Sequence, residues 1–456
     1  MTDVNIIPAS YKDPAGFVFT YNQQIYRQVN KVYEDQYNLF LQSGLYKELT
    51  ERKFLLRHQE VENINSSDEN CYKTLFPEQL EFISYPYEWS FDMLKDAALL
   101  TLDVNIIAIK HGMILKDATP FNVQFQKTNP LFIDTLSFEK YDETKPWVAY
   151  RQFCECLLFP LYLSHFTKTD AQKWLMNYPD GITVEMTASL LPIKSWFKLG
   201  TWLHVYLHQK ISRKQNNNPS SKLSFSKQKL VYLLDGLYST IKNLSFDISS
   251  TWSNYYSETI LSSEYLIAKE KIFLRYLEEV TERTAIDLGS NDGYFSQLAA
   301  VKLDNVIAID FDSNCINQLY RLIKKNKTGN ILPLVIDITN PSPGIGLANE
   351  ERISFLDRTK PSLVLALAIV HHLSISKNIP LSRIASFFSK ISTTLIIEFV
   401  PKEDPKVQDL LKTKVDIFLN YTESFFEQCF YEYFNLLKKE TITGTKRILY
   451  LMQKKS

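Results

Sequence analysis

Eleven consecutive residues constrain this chain more than any others: Ala285-Ile286-Asp287-Leu288-Gly289-Ser290-Asn291-Asp292-Gly293-Tyr294-Phe295. A short apolar run closes on an acid and a glycine-bearing turn, and an apolar helix pattern follows. A parallel sheet uses this arrangement to bring its backbone against a ligand at the carboxyl end of a strand. A side chain at Gly289 or Gly293 would hold the backbone off that ligand, and glycine takes positive φ at little cost. The run lacks the G-x-G-x-x-G spacing of dinucleotide sites and sets Asp287 ahead of the turn. An acid there repels a pyrophosphate and suits a cationic ligand, such as a sulfonium carrying an α-amino group.

Further apolar runs follow in order. Val306-Ile307-Ala308-Ile309-Asp310 is read as a strand ending in acid, followed by Phe311, Asp312 and a helix that Ser313 can cap. A carboxylate about 20 residues beyond a glycine turn accepts ribose hydroxyls. Asp310 takes that place; Asp312 is the local alternative, or else a charge facing the helix dipole. Ile331 to Asp337 is a third strand with a terminal acid, and Ser362 to Ala368 a fourth, leading to Val370-His371-His372-Leu373. Thr394 to Pro401 is a fifth and carries Glu398; a helix over Tyr421 to Tyr431 and a last strand over Lys446 to Met452 complete the series.

These residues resemble class I S-adenosylmethionine-dependent methyltransferases, from Thr281 to the end of the chain. The resemblance implies an α/β fold, a Rossmann-like seven-stranded sheet with helices on both faces. It implies S-adenosylmethionine at Asp287, Gly289, Ser290, Asn291, Gly293, Phe311 and Ile338, with its ribose at Asp310 and its adenine amino group at Asp337. His371 or His372 is a candidate general base, because imidazole titrates near neutrality, or packs beneath the cofactor. Glu398 is a further catalytic candidate. No Asn-Pro-Pro-Tyr-like segment follows the fourth strand, which argues against base amino-group methylation, and no Pro-Cys pair supplies a cysteine nucleophile.

At 456 residues the chain has room for two or three domains. Fifty-one basic residues balance fifty-one acidic ones, and from Thr281 onward the count is 22 to 19. Neither count carries the excess expected of a duplex-binding protein. Five scattered cysteines without a CxxC pair argue against a disulfide framework or structural zinc and point to a reducing, cytoplasmic setting. The most apolar early stretch, Phe153 to Leu163, contains Glu155 and Pro160 and is too short to span a bilayer.

In the first half, Phe17 to Val29 alternates about a polar turn and predicts a β-hairpin. Helices are expected over Lys31 to Ser43 and Leu45 to Arg57. The segment from His111 to Phe125 places Asp117 and Asn122 in D-x-x-x-x-N spacing, and Leu131-Phe132-Ile133-Asp134 follows. It resembles the catalytic loop of protein kinases and small-molecule phosphotransferases over Gly16 to Ser164. That implies an α+β, kinase-like domain, with Asp117 orienting a hydroxyl while Asn122 and Asp134 hold magnesium for ATP. The pattern departs from the family: a Gly-rich loop and a Val-Ala-Ile-Lys strand are missing, Thr135-Leu136 follows the third acid, and Lys116 replaces arginine. Arg27 and a helical Glu60 are the stand-ins for the missing lysine and its partner. The plainer alternative has Asp117 capping a turn, Asn122 bonding the loop and Asp134 ending a strand.

The resulting division is 1–211 for the kinase-like or substrate-recognition domain, 212–262 for a linker and connector, and 263–456 for the cofactor domain. Ser212 to Ser221 is the polar linker, and Tyr255 or Tyr256 either covers the cofactor or packs in the connector. The expected reaction moves a methyl group to an O or N acceptor on a small molecule, glycan or lipid-linked intermediate. Overall similarity to bacterial two-part, nodulation-type methyltransferases implies a glycan-like acceptor. The alternatives are a bifunctional protein that also phosphorylates its substrate, and a non-catalytic scaffold that binds the cofactor.

Overall fold

The expected hairpin forms around Asn22 and Gln23, which both take positive φ, as the tight turn between right-twisted strands requires. It joins two of the strands β1 (Asn5–Ile6), β2 (Gly16–Tyr21), β3 (Gln24–Asn30), β4 (His58–Val61) and β5 (Cys71–Pro77). These make an antiparallel sheet in the order β1-β2-β3-β5-β4. Helices Glu34–Gln42 and Leu45–Glu51 bridge β3 to β4. The second ends well before Arg57, because Lys53 turns the backbone to φ 58° and the chain enters β4. Glu60 therefore lies on a strand, not on a helix as expected.

Helix Phe91–Lys110 is buried on most sides, the mark of a core helix. Two short ribbons follow, β6 (Met113–Leu115) with β9 (Phe138–Lys140) and β7 (Val123–Gln126) with β8 (Asn129–Phe132). Together these elements form the α+β part of the chain.

The protein is described by a computed structural model that covers residues 4–64, 68–207, 209, 226–246, 263–360, 362–412 and 414–455. Ser212 to Ser221, Tyr255 and Tyr256 lie outside the described residues. Two compact units result: Met1–Ile248 with Pro343–Ile353, and Ser249–Ser342 with Ser354–Ser456. Helix Lys227–Lys242, assigned to the connector on sequence grounds, belongs to the first unit.

The detour Pro343–Ile353 is held within that first unit. Glu351 accepts from the Tyr11 hydroxyl at 2.7 Å and from Lys12 at 2.8 Å. The Ile353 amide donates to the Tyr85 hydroxyl at 3.0 Å, and the Arg352 guanidinium lies 4.3 Å from the Phe121 ring centre.

The second unit is built on β10 (Thr284–Leu288), β11 (Asn305–Asp310), β12 (Ile331–Val335), β13 (Ser362–Ala366), β14 (Ser392–Phe399), β15 (Phe434–Thr441) and β16 (Ile448–Lys454). They form a seven-stranded sheet in the order β12-β11-β10-β13-β14-β16-β15. The first five run parallel, and β16 runs antiparallel to both neighbours. Pro333 is accommodated because β12 is an edge strand, where a missing amide donor need break no ladder bond. The other edge, β15, is mostly exposed and lacks apolar alternation, so no sequence signal announced it. The core beneath the sheet gathers Phe273 and Tyr276 from helix Ser263–Glu279, Phe295 and Ala299 from helix Tyr294–Ala300, and Leu363 and Leu365 from β13. Among the described residues, no helix is long and apolar enough to cross a membrane.

Candidate functional site

Chain order and spatial order part company at β10, whose neighbours are β11 on one side and β13 on the other. In open α/β sheets the crevice at such a switch point is where ligands bind. The glycine turn leaves β10 there with φ 73° at Gly289, 52° at Asn291 and 77° at Gly293. A β-carbon on Gly293 would also collide with Leu319, so this glycine is needed for packing as well as for its backbone angle.

The turn is stitched to the adjacent strand. Amides of Gly289 and Ser290 donate to the Ile309 carbonyl at 2.9 and 3.0 Å. Asp310 accepts from the Asn291 amide through one carboxylate oxygen and from the Asp312 amide through the other, each at 2.9 Å. A carboxylate has about four acceptor positions, so these two bonds leave capacity for ligand hydroxyls. Burial pushes the Asp310 carboxyl up to about 6. Asp312 accepts from the amides of Asn314 and Cys315 and caps helix Ser313–Asn326, with Ser313 its first residue and not its cap.

Asp287 sits lower. Only 2% exposed, it accepts from Ser296 at 2.6 Å, tying β10 to the helix that follows the turn. Burial raises its carboxyl to about 6 against the pull of Ser296 and Lys269. Phe311 is exposed just past β11. Beyond β12, Asp337 accepts from the Thr339 amide and hydroxyl at 2.9 and 2.7 Å, and both Asp337 and Ile338 are half-buried. The predicted cofactor residues thus come to the carboxyl ends of three adjacent strands.

The segment after β13 borders the turn, since a β-carbon on Gly289 would come within 3.0 Å of Ile369 Cδ1. Its Ala368 takes φ 55°, an uncommon angle for a residue with a side chain and one that clusters at functional sites. His371 is fully buried, and neither of its ring nitrogens has a partner among the described residues. The same holds for the Ser290 hydroxyl. The His372 ring lies 4.1 Å from that of His371. Burial holds His371 well below its ordinary value and His372 at about 4, so both imidazoles are neutral at pH 7.

Glu398 has a different setting. It pairs with Lys269 at 2.6 Å, accepts from the Tyr265 hydroxyl at 2.8 Å and from Arg447 at 3.3 Å. Arg447 in turn forms a bidentate pair with Asp404 at 2.7 and 3.0 Å. All these groups are buried. Burial pushes the Glu398 carboxyl up, but the two cations outweigh it and hold it below its usual range. Three protein partners commit this carboxylate to the interior. Sequence reasoning missed the network because its members stand far apart in the chain; the signal available was a lysine at an inward position of helix Ser263–Glu279.

In the first unit the predicted loop residues also converge. Asp134 pairs with Arg27 at 2.5 Å and accepts from the Leu136 amide at 3.1 Å and from the Ser137 hydroxyl. Asn122 donates to that same hydroxyl at 3.0 Å. Burial, then the charge of Asp134, raises the Asp117 carboxyl, which accepts from the Thr119 amide at 3.2 Å. Arg27 meets the strand-end acid, while Glu60 pairs with Lys73 and accepts from Tyr37. No group of three His, Cys, Asp or Glu side chains suited to a metal occurs among the described residues.

Sheet order, glycine turn and strand-end acids define the second unit as a Rossmann-like methyltransferase fold, carried on one chain with an α+β unit. No family model matches the chain. It is 31% identical over 460 residues to the nodulation protein NoeA of Rhizobium meliloti (strain 1021), spanning 98% of this chain and 96% of that one. The chain belongs to the NoeA family of nodulation proteins.

Among solved structures, the N-methyltransferase NodS of Bradyrhizobium japonicum WM9, in complex with S-adenosyl-L-homocysteine, covers 45% of this chain and 100% of its own. Its identity is 10% and its TM-score 0.33. The bifunctional kinase-methyltransferase WbdD covers 47% of this chain and 45% of its own, with 19% identity and a TM-score of 0.29. The sheet order stands on the strand pairing itself.

Proposed function

We propose that the second unit binds S-adenosylmethionine and moves its methyl group to an O or N acceptor on a small molecule, glycan or lipid-linked intermediate. One observation carries this reading. Asp310 closes β11 beside a positive-φ glycine turn, with acceptor capacity to spare and the orphaned Ser290 hydroxyl within that turn. The donor set fits the group: Asp310 would accept ribose hydroxyls, and Phe311, Asp337 and Ile338 would hold the adenine end. The turn amides are already spent on Ile309, Asp310 and Ser290, so the carbonyls of Gly289 and Asn291 and the Ser290 hydroxyl would serve the opposite end. Asp287 supports the turn from beneath. When bound, S-adenosylmethionine supplies an electrophilic methyl on a sulfonium.

The chain's own contribution is to hold donor and acceptor in line, worth several kcal/mol of barrier on general grounds, and to accept a proton where the acceptor carries one. Neutral, unpartnered His371 and its neighbour His372 are the groups assigned to that proton. Glu398 is read as an electrostatic anchor, since its oxygens are taken by Lys269, Tyr265 and Arg447. The glycan-like acceptor rests on the resemblance to nodulation-type, two-part methyltransferases.

A second reading has the first unit bind ATP and magnesium and phosphorylate the same acceptor. The convergence of Asp117, Asn122 and Asp134 favours it. Arg27 weighs against it, because the acid that would hold magnesium is already neutralised. Calorimetric titration of S-adenosylhomocysteine, then of ATP with magnesium, separates the two. Binding of the first and none of the second is expected; no binding of the first would overturn the main reading.

A further inference from the structure

One stretch of the first unit is folded inside out. Between residues 193 and 207, several small or uncharged polar side chains point inward, together with Val205. Ser195, Thr201 and His204 are buried, the Ser195 and Tyr206 hydroxyls meet at 2.8 Å, and Tyr150 bonds His204 Nδ1 at 2.8 Å. A β-carbon on Gly200 would come within 2.7 Å of Thr240, so the backbone is pressed against helix Lys227–Lys242.

The large apolar side chains point outward instead. Phe197 is 85% exposed, Ile193 79% and Leu199 73%; Trp196, Trp202 and Leu203 are exposed as well. Single exposed apolar residues are ordinary, but a contiguous group of this size marks an interaction surface. Beside it lies a groove of about 600 Å³ lined by Trp196, Trp202, Tyr206, Ala188 and Glu185.

Charge identifies what covers this face. The chain is neutral overall, yet residues 186 to 234 contain no Asp or Glu and eight Lys or Arg, of which Lys210, Arg213, Lys214 and Lys222 lie outside the described residues. Lys194 and Lys198 sit among the outward aromatics and are themselves exposed. Glu185, at the rim of the groove, is the last acid before the run begins. Tryptophan, phenylalanine and leucine beside lysine is the composition of segments that lie in a membrane interface, with rings at headgroup depth and cations on anionic lipid. A nucleic-acid surface would use the cations but leave Ile193 and Leu199 in water.

We propose that residues 193 to 203 are a membrane-docking face that seats this protein on an anionic lipid surface. It lies on the bilayer without crossing it. The inference goes beyond the methyl-transfer reading and does not depend on it.

Co-sedimentation of the full chain with extruded vesicles tests this, comparing pure phosphatidylcholine with vesicles of about 30% phosphatidylglycerol. The wild type is expected to partition at least about tenfold more strongly onto the anionic vesicles and to lose most of that preference in high salt. Phe197→Ser/Leu199→Ser is expected to weaken partition by about tenfold or more, with an unchanged melting temperature. Lys194→Gln/Lys198→Gln should lose roughly the same factor on anionic vesicles and nothing on neutral ones.

A wild type that stays in the supernatant with anionic vesicles overturns the proposal, as does a Phe197→Ser/Leu199→Ser protein that binds like the wild type. A concentration-dependent dimer dissolved by that double variant would make the face an interface between copies of this chain. RNA binding lost with the lysine variants, without vesicle binding, would assign it to nucleic acid. Either result replaces the membrane.

Discussion

Asp310 and Asp134 occupy like places, each a buried acid at or just past the end of a strand, and their electrostatics run in opposite directions. Asp310 faces two backbone amides and no cation at bonding distance among the described contacts, so burial dominates and lifts its carboxyl to about 6. Asp134 is buried too, but Arg27 and Ser137 outweigh burial and hold its carboxyl below the usual range. The difference teaches that a strand-end acid is legible in sequence as a place but not as a state. A single arginine on a neighbouring strand decides whether the buried carboxylate meets backbone amides alone or is already neutralised.

The comparison breaks most sharply at Asp310. Asp310→Ala is expected to weaken S-adenosylhomocysteine binding by at least about 100-fold, the cost of two charge-assisted hydrogen bonds. Calorimetry on the full chain reads it, and a loss under threefold would remove Asp310 from the site. In the other unit, Arg27→Met strands the Asp134 charge and should cost about 3 to 5 kcal/mol in chemical denaturation. Adding Asp134→Asn to that variant should restore most of the loss, because both halves of the pair are then gone.

Acidity sharpens the same contrast. Ribose donors favour the ionised form of Asp310, so cofactor affinity should fall about tenfold per pH unit below about 6 and level off above it. Asp310→Asn should flatten that profile. Without ligand the sign reverses: protonated Asp287 and Asp310 stabilise the fold fully below about 4, and that contribution is lost as pH rises through about 6. His371 and His372 oppose this trend, since groups buried neutral cost stability as pH falls below about 6.5. The smallest effect is expected at Asp117. Asp117→Asn should change the methyl-transfer rate by less than about twofold, and a larger loss would tie the first unit to the chemistry.

Much of the second unit could be read from residues alone. Apolar runs, their terminal acids and the turn at Gly289 and Gly293 lie close together in sequence, where strand and turn chemistry act locally. β15 escaped because an exposed edge strand need not alternate. The Lys269–Glu398–Arg447–Asp404 network escaped because its energetics depend on burial, which sequence does not state for a charged residue. Ala368 gave no warning of its positive φ, since alanine has no preference for that region. In the first unit, Asp117, Asn122 and Asp134 were placed by their spacing, whereas the pairing of Arg27 with Asp134 needed the sheet to bring β3 toward the end of the β7–β8 ribbon.

The detour Pro343–Ile353 bears on how this protein is made. Domains of a nascent chain ordinarily fold in turn, the first before the second has been synthesised. Here eleven residues that complete the first unit are encoded nearly a hundred codons after its main segment ends. The ribosome must therefore translate β10, β11 and β12 before the partners of Tyr11, Lys12 and Tyr85 exist. Until residue 353 emerges, the earlier unit waits unfinished, while the second unit still awaits Ser354–Ser456 and the strands β13 to β16 they carry.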